Sequence, residues 1–375
     1  MHGEEIQEAV ARVTASGWYL QGKENAAFEQ EYATFCHSRH CIGVANGLDA
    51  LTLMIRAYKE TGRLADEDEV LVPANTYIAT ILAITANNLK PVLIEPDERF
   101  LIDSDRAIEA ITEKTKAIVA VNLYGYNACT EKLTQACKKY GLLLFIDNAQ
   151  GHGLKLPSYA AEGLEGAVAH SFYPGKNLGA LGDGGAVTCD DDDICNIIRS
   201  LANYGSSRKY VFDYCGRNSR LDEIQAAVLR VKLRYLTEDN RRRQEIAERL
   251  IMELDCDSCR NEGIFTPPSG KEDGAVFHIF PLLTDCRQEL QEHLTAQGIG
   301  TMIHYPIPPH KQKCYSQAGM LFTPDGHTGN DISLPVTEAL HRRELSLPCN
   351  PAMNDEQVEM VIRSIKGFKK QNSNL

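Results

Sequence analysis

Between residues 41 and 188, short apolar runs alternate with amphipathic stretches of helical period. Residues 41–44, 70–72, 91–95, 117–121, 142–146 and 166–172 read as strands without polar alternation. Between them, helices are predicted to start at Leu48 and to span 77–86, 103–112 and 130–140. Strands that are apolar on both faces must be covered on both faces. The pattern therefore predicts an α/β fold, a mostly parallel mixed sheet sandwiched by helices. In such a sheet, ligands bind beyond the carboxyl ends of the strands. Asp147 stands at one of those ends, directly after the apolar run 142–146, and Gln150 follows three residues later.

Outside this block, helices are predicted over 4–16, 23–36, 221–236 and 241–254. The acidic run 190–193 should cap a further helix reaching residue 203, after a strand at 186–188. Residues 204–219 lack periodicity and read as a long loop. The composition shifts near Asp255. Residues 256–273, with Pro267 and Pro268, read as a connector, followed by strands at 275–282 and 301–304 and helices at 286–297 and 355–368. The tail from 369 to 375 should fray. Two domains are expected: a large α/β domain over 1–254 and a small α+β domain over 255–375.

The chain carries 39 Lys and Arg against 51 Asp and Glu, a net charge of −12, which argues against general nucleic-acid or membrane-surface binding. Local basic spots remain possible at Arg208, Lys209, Arg217 and Arg220, and at His304, His310, Lys311 and Lys313. The 12 cysteines show no framework spacing, and the lone pair Cys256 and Cys259 is a poor metal signature, so no metal is expected. No signal peptide follows Met1, and no apolar run approaches membrane-spanning length. A reducing cytoplasm with free thiols is the expected setting.

One lysine stands out. Lys176 sits among small, aromatic and apolar neighbours in a glycine-rich stretch, 171–185, after the strand 166–172. Its glycines permit positive φ and close approach to a bound group. A desolvated lysine loses its proton readily and attacks carbonyl carbon; the same stretch also fits an ordinary solvated loop. Asp147 and Gln150 favour the first reading. Pyridoxal 5′-phosphate, the common aldehyde partner of such a lysine, needs an acid at its ring nitrogen, donors for its phosphate and a flat apolar cover. Asp147 suits the first need, and Gln150 could reach the ring hydroxyl. Gly47 and Leu48, at a strand-to-helix turn, suit the phosphate together with Ser171, and Tyr77 suits the cover. No G-x-G-x-x-G lies between the first strand and helix, and no P-loop occurs, so dinucleotide and nucleoside-triphosphate sites fit poorly.

These stretches resemble the DegT/DnrJ/EryC1/StrS family of sugar aminotransferases, fold-type I pyridoxal-phosphate enzymes. The resemblance runs from Trp18 to Gly367 and rests on residues 17–19, 45–51, 73–77, 147–150, 171–179, 216–227, 304–306 and 346–348. It implies that Lys176 bonds the cofactor aldehyde and then shuttles a proton between the donor's α-carbon and the cofactor. Asp147 would partner the ring nitrogen, Gln150 the ring hydroxyl, Tyr77 the ring face, and Gly47, Leu48 and Ser171 the phosphate. Asn218 would reach the phosphate in the neighbouring subunit, making the active unit a homodimer with shared sites. His304, Tyr305 and Tyr173 would lie near a nucleotide-linked keto sugar, and L-glutamate is the family's usual amino donor.

The chain departs from the family pattern in carrying Ile146 where most members have Glu, and in beginning after the usual proline-containing lead, as though trimmed. Some relatives are dehydratases with histidine in place of the lysine; Lys176 favours transamination. Residues 46–51 and 173–183 look most like members that aminate C3 of dTDP-linked 3-keto-6-deoxy sugars. Leu178, Gly179 and Ala180 stand where C4-aminating members more often carry an Ile-Thr-Thr type of run. Amination at C4 of a dTDP- or UDP-4-keto sugar, or a non-catalytic regulatory homologue, are the alternatives. A dehydrogenase lacks its fingerprint.

Overall fold

Seven strands carry the centre of the protein: β1 (His40–Val44), β2 (Glu69–Pro73), β3 (Lys90–Ile94), β4 (Thr115–Val121), β5 (Leu143–Asp147), β6 (Gly166–Ser171) and β7 (Gly185–Cys189). In the computed structural model, which describes residues 2–270 and 274–370, they form one sheet in the order β1-β7-β6-β5-β4-β2-β3. The pairs β2–β3, β2–β4, β4–β5 and β5–β6 are parallel. Strand β7 runs antiparallel to both β6 and β1, so β1 points the same way as β6. The expected mixed, mostly parallel sheet is present. Every residue of β5 and β7 is buried, as continuous apolar strands require when helices cover both faces.

That topology brings the carboxyl ends of β1, β2, β5 and β6 to one edge of the sheet. Each end feeds a segment with a chemical role. From β1 the chain enters helix Gly47–Glu60, whose N-cap Asn46 accepts from the Asp49 N–H. From β2 it reaches Tyr77 at the N-cap of helix Ile78–Thr85. Strand β5 ends on Asp147 itself, and β6 ends on Ser171. Asp191 caps helix Asp192–Ala202 through the Ile194 N–H, as the acidic run predicted.

Several boundaries differ from the sequence reading. The long loop 204–219 contains a two-stranded ribbon, β8 (Ser206–Arg208) and β9 (Val211–Phe212), too short to leave a periodic signature. The helix expected to begin at 241 starts a turn and a half earlier, as Leu236–Leu254, because Leu236 is buried and anchors its start. The connector 256–273 holds helix Asp257–Asn261 and strand β10 (Ile264–Phe265), while residues 271–273 lie outside the described residues. Strand β11 (Phe280–Thr284) begins five residues later than expected. The backbone before it is taken up by the β4–β5 side of the molecule, with the Val276 N–H donating to the Gly125 carbonyl. Residues 301–304 form no strand; only Met302 bridges Ser346.

Helix Pro335–Arg343 and strand β12 (Glu344–Leu347) have no counterpart in the sequence reading. β12 is short, wholly buried and half polar, which hides it from any apolar-run criterion. It completes an antiparallel sheet, β10-β11-β12; helix Arg287–Ala296 packs against β12, and helix Asp355–Lys366 packs against that helix. Of the tail, residues 371–375 lie outside the described residues. Cys189 and Cys195 are disulfide-bonded, joining β7 to the following helix, which corrects the expectation of free thiols throughout; the other ten cysteines are free. Within the basic spots, Arg217 pairs with Asp49, and Lys311 and His310 share Glu338. Among the described residues no helix is long and apolar enough to cross a membrane.

Candidate active site

Lys176 stands on the bend after β6, its N–H donating to the Tyr173 carbonyl at 2.8 Å. Its neighbour Asn177 fastens the bend to the segment before β11. The Asn177 amide donates to Asn240 Oδ1 at 2.9 Å and to the Val276 carbonyl at 3.1 Å, and its Oδ1 meets His278 Nδ1 at 3.1 Å. Burial pushes the Lys176 amine down to about 8, against the opposing pull of the Asp147 charge. The lysine therefore releases its proton far more readily near neutral pH than an ordinary lysine does.

The glycines of this bend act by closeness. None of Gly175, Gly179, Gly182, Gly184 and Gly185 has positive φ, contrary to one of the two roles expected of them. Instead a Cβ on Gly179 would lie 2.4 Å from the Pro174 carbonyl oxygen, and one on Gly185 would lie 2.4 Å from that of Asn46. The missing side chains let the bend fold on itself and let β7 lie against the start of helix Gly47–Glu60.

Asp147 is buried, and burial pushes its carboxyl up. The Thr80 hydroxyl donates to its Oδ2 at 2.7 Å and the Ala149 N–H to its Oδ1 at 3.1 Å, both favouring the ionised form. Thr80 was not foreseen; it lies three residues after Tyr77, on the first turn of the same helix. Gln150 is oriented from both ends. Its Oε1 accepts the Tyr124 N–H at 2.5 Å, and its Nε2 donates to the Tyr305 hydroxyl at 3.2 Å. Tyr305 in turn packs against Tyr77, ring centroids 4.9 Å apart. Tyr77 is 52% exposed, so its ring is free to cover a ligand.

Gly47 and Leu48 open helix Gly47–Glu60, where the first N–H groups have no intrahelical acceptor. The helix start rests directly on Ser171: a Cβ on Gly47 would lie 2.6 Å from the Ser171 Cβ and 3.0 Å from its Oγ. The hydroxyl and the helix N–H groups thus form one cradle, as an anion requires.

His304 reaches this group from the C-terminal part of the chain. Tyr124 donates its hydroxyl to the His304 carbonyl, and burial with the nearby Lys176 charge pushes the imidazole down to about 4. The structure thus gathers Lys176, Asp147, Gln150, Tyr77, Tyr305 and His304 on one side, and Gly47, Leu48 and Ser171 in the adjoining cradle. Two expected residues stand apart. Tyr173 is 59% exposed, its ring lying back along Gly175, where a Cβ would meet it at 3.7 Å. Asn218 is exposed in a cleft with Ala45, Asp183 and Gln225, and joins none of the hydrogen bonds above. Tyr124, Glu344 and Ser346 also shape the site. Of these, only Ser346 falls in a stretch that carries the family resemblance, and the sequence alone assigns a role to none of them.

Over residues 1–366 the sequence matches the DegT/DnrJ/EryC1/StrS aminotransferase family. The chain belongs to this family. It is 45% identical, over 97% of its length and 95% of the relative's, to the dTDP-3-amino-3,6-dideoxy-alpha-D-galactopyranose transaminase of Aneurinibacillus thermoaerophilus. It is 39% identical, over 96% of its length and 91% of the relative's, to the dTDP-3-amino-3,4,6-trideoxy-alpha-D-glucose transaminase of Streptomyces venezuelae. The solved structure of S. venezuelae DesV in complex with a ketimine intermediate superposes with a TM-score of 0.88 at 38% identity, covering 97% of this chain and 94% of that one. The α/β architecture is that of fold-type I, and the family's cofactor is pyridoxal 5′-phosphate. The residues present fit that group. A depressed lysine amine, a buried carboxylate, an amide oriented at both ends, an exposed aromatic face and a helix-start cradle closed by a hydroxyl meet each of its demands.

Proposed function

We propose that this protein transfers an amino group from L-glutamate to a dTDP-linked 3-keto-6-deoxy sugar, giving the 3-amino sugar. The observation that carries the reading is the Lys176 amine, lowered to about 8 by burial within reach of the Asp147 charge. Likeness to two dTDP-3-amino sugar transaminases supports the sugar and the carbon. L-glutamate follows the family's habit.

When bound, pyridoxal phosphate supplies an electron sink for the carbon that loses or gains a proton beside nitrogen. Everything else is asked of the chain. Gly47, Leu48 and Ser171 hold the phosphate, and Tyr77 covers the ring. Asp147, whose ionised form the Thr80 hydroxyl and the Ala149 N–H favour, would partner the ring nitrogen. Gln150, fixed by Tyr124, donates to the ring oxygen. Lys176 Nζ takes the α-proton from the amino donor. In the second half of the cycle it delivers a proton to the sugar carbon that has gained nitrogen. An amine near 8 suits both directions at neutral pH.

Asn218 we assign to the site of a second copy, with which this chain forms a homodimer. Two exposed aromatics support this: Tyr210 is 82% exposed beside β9, and Phe212 on β9 is 59% exposed, six residues before Asn218. A cytoplasmic setting and a division into domains near residue 254 belong to the same proposal. The test is a panel of dTDP- and UDP-keto sugars with L-glutamate and cofactor-loaded protein. Formation of a dTDP-3-amino sugar is expected. Transfer to C4 alone, or no transfer to any sugar while the protein holds its cofactor, would reject the reading.

A further inference from the structure

Behind His304 lies a chain of buried hydrogen bonds. His304 Nδ1 meets Ser346 Oγ at 2.7 Å, and the Ser346 hydroxyl donates to Glu344 Oε1. The other carboxylate oxygen, Oε2, accepts the backbone N–H of His304 at 2.6 Å. Glu344 and Ser346 are both on β12 and both buried. A buried carboxylate this well supplied with donors has been desolvated at considerable cost, and packing alone would be served better by apolar residues.

The donors and acceptors can be counted. An ionised Glu344 only accepts, so both its oxygens take hydrogens, one from Ser346 and one from the His304 N–H. Ser346 has a single hydroxyl hydrogen, already given to Glu344. Its remaining capacity toward His304 is to accept, so Nδ1 must carry the imidazole proton. The imidazole is neutral, being pushed down to about 4. Its Nε2 therefore holds a lone pair. Nε2 points away from β12 and has no protein partner among the described residues, while the Lys176 charge is close enough to act on the ring.

We propose that Glu344 and Ser346 are positioning residues that lock His304 with its proton on Nδ1, so that Nε2 accepts a hydrogen bond from a hydroxyl of the keto sugar. The sugar half of this rests on the function proposed above; the tautomer half does not. A sugar lacking that hydroxyl leaves a half-buried lone pair unpaired, which is how a site rejects the deoxy analogue.

The test uses the cofactor-loaded protein with 15N-labelled histidine, the His304 signals being assigned by their loss in His304→Asn. At about pH 8.5, above the value of about 7 to which burial pushes Glu344, the shifts should report a protonated Nδ1 and a bare Nε2. Glu344→Gln should reverse them. Its amide oxygen is needed by the His304 N–H, so its NH2 faces Ser346, which then donates to Nδ1. Ser346→Ala should leave a mixture of tautomers and raise the apparent KM of the keto sugar about 10-fold, the size of one lost hydrogen bond, with kcat changing less than KM. A wild-type proton on Nε2, an unchanged tautomer in Glu344→Gln, or an unchanged KM in Ser346→Ala would each overturn the proposal. If no sugar is aminated, the function fails separately, because the tautomer is read without sugar.

Discussion

The Thr80 hydroxyl donates a 2.7 Å hydrogen bond to the buried Asp147 carboxylate and so opposes the burial that pushes this acid upward. Thr80→Val keeps the shape and removes the donor. The Asp147 carboxyl should then rise further, and the cofactor, whose ring nitrogen needs an ionised partner, should bind roughly 5- to 10-fold more weakly. Absorbance titration of the stripped protein measures this. The sign for stability follows from linkage. A carboxyl raised on folding favours the folded state most below its unfolded value, and the benefit is lost as pH rises through the folded one. Stripped Thr80→Val should therefore lose stability, relative to wild type, above the acid range; equal loss at all pH values would contradict the role given to Thr80.

Lys176 shows the opposite linkage. Its amine falls from 10.5 to about 8 on folding, so the unfolded chain binds more protons between those values and stability rises with pH across them. Lys176→Met should flatten that slope and stabilise the stripped protein at pH 7 by on the order of 2 kcal/mol, read from denaturant midpoints. The same substitution should lower the rate of amino transfer by at least about 100-fold, as expected for loss of a general base. A variant that is stabilised yet fully active would remove Lys176 from the chemistry.

How much of this site was legible beforehand depended on distance along the chain. Lys176, Asp147 and Ser171 are marked by strand ends, because a parallel sheet turns local pattern into position. Gly47 is marked by a strand-to-helix turn. Thr80 and Tyr124 carry no such mark. One is a small polar residue on a helix, and the other an aromatic held at positive φ just after β4, distinguished by what its N–H and hydroxyl meet 26 and 180 residues away. Glu344 and Ser346 alternate on a four-residue strand whose polar half disguises its burial. Long-range hydrogen bonding leaves no periodicity. The same holds for the cysteines, since spacing alone did not single out Cys189 and Cys195, which the turn after β7 brings together.

Gly47 tests the phosphate cradle. A Cβ there would lie 2.6 Å from the Ser171 Cβ, so Gly47→Ala must push the helix start off β6. Overpacking of this kind costs about 1–3 kcal/mol. Cofactor affinity should fall about 10-fold or more, because the N–H groups and the Ser171 hydroxyl no longer converge on one point. Adding Ser171→Gly should restore thermal stability, by relieving the contact, without restoring affinity, since the hydroxyl is gone. If affinity returned with stability, the cradle would be a packing contact and the phosphate would bind elsewhere.

Asn218 and Lys176 can be separated onto different chains. Asn218 makes none of the hydrogen bonds that join the other site residues and lies in an exposed cleft beside Ala45. If it serves a second copy, Asn218→Ala and Lys176→Ala should each be impaired alone, because each damages both sites of its homodimer. Mixing them after subunit exchange yields hybrids in which one site keeps its Lys176 and receives Asn218 from the other chain. Half of the dimers then carry one intact site, so about a quarter of wild-type activity should return. Activity that stays at the level of the separate variants, with exchange verified by mass-tagged subunits, would confine Asn218 to its own chain and leave the homodimer without a shared site.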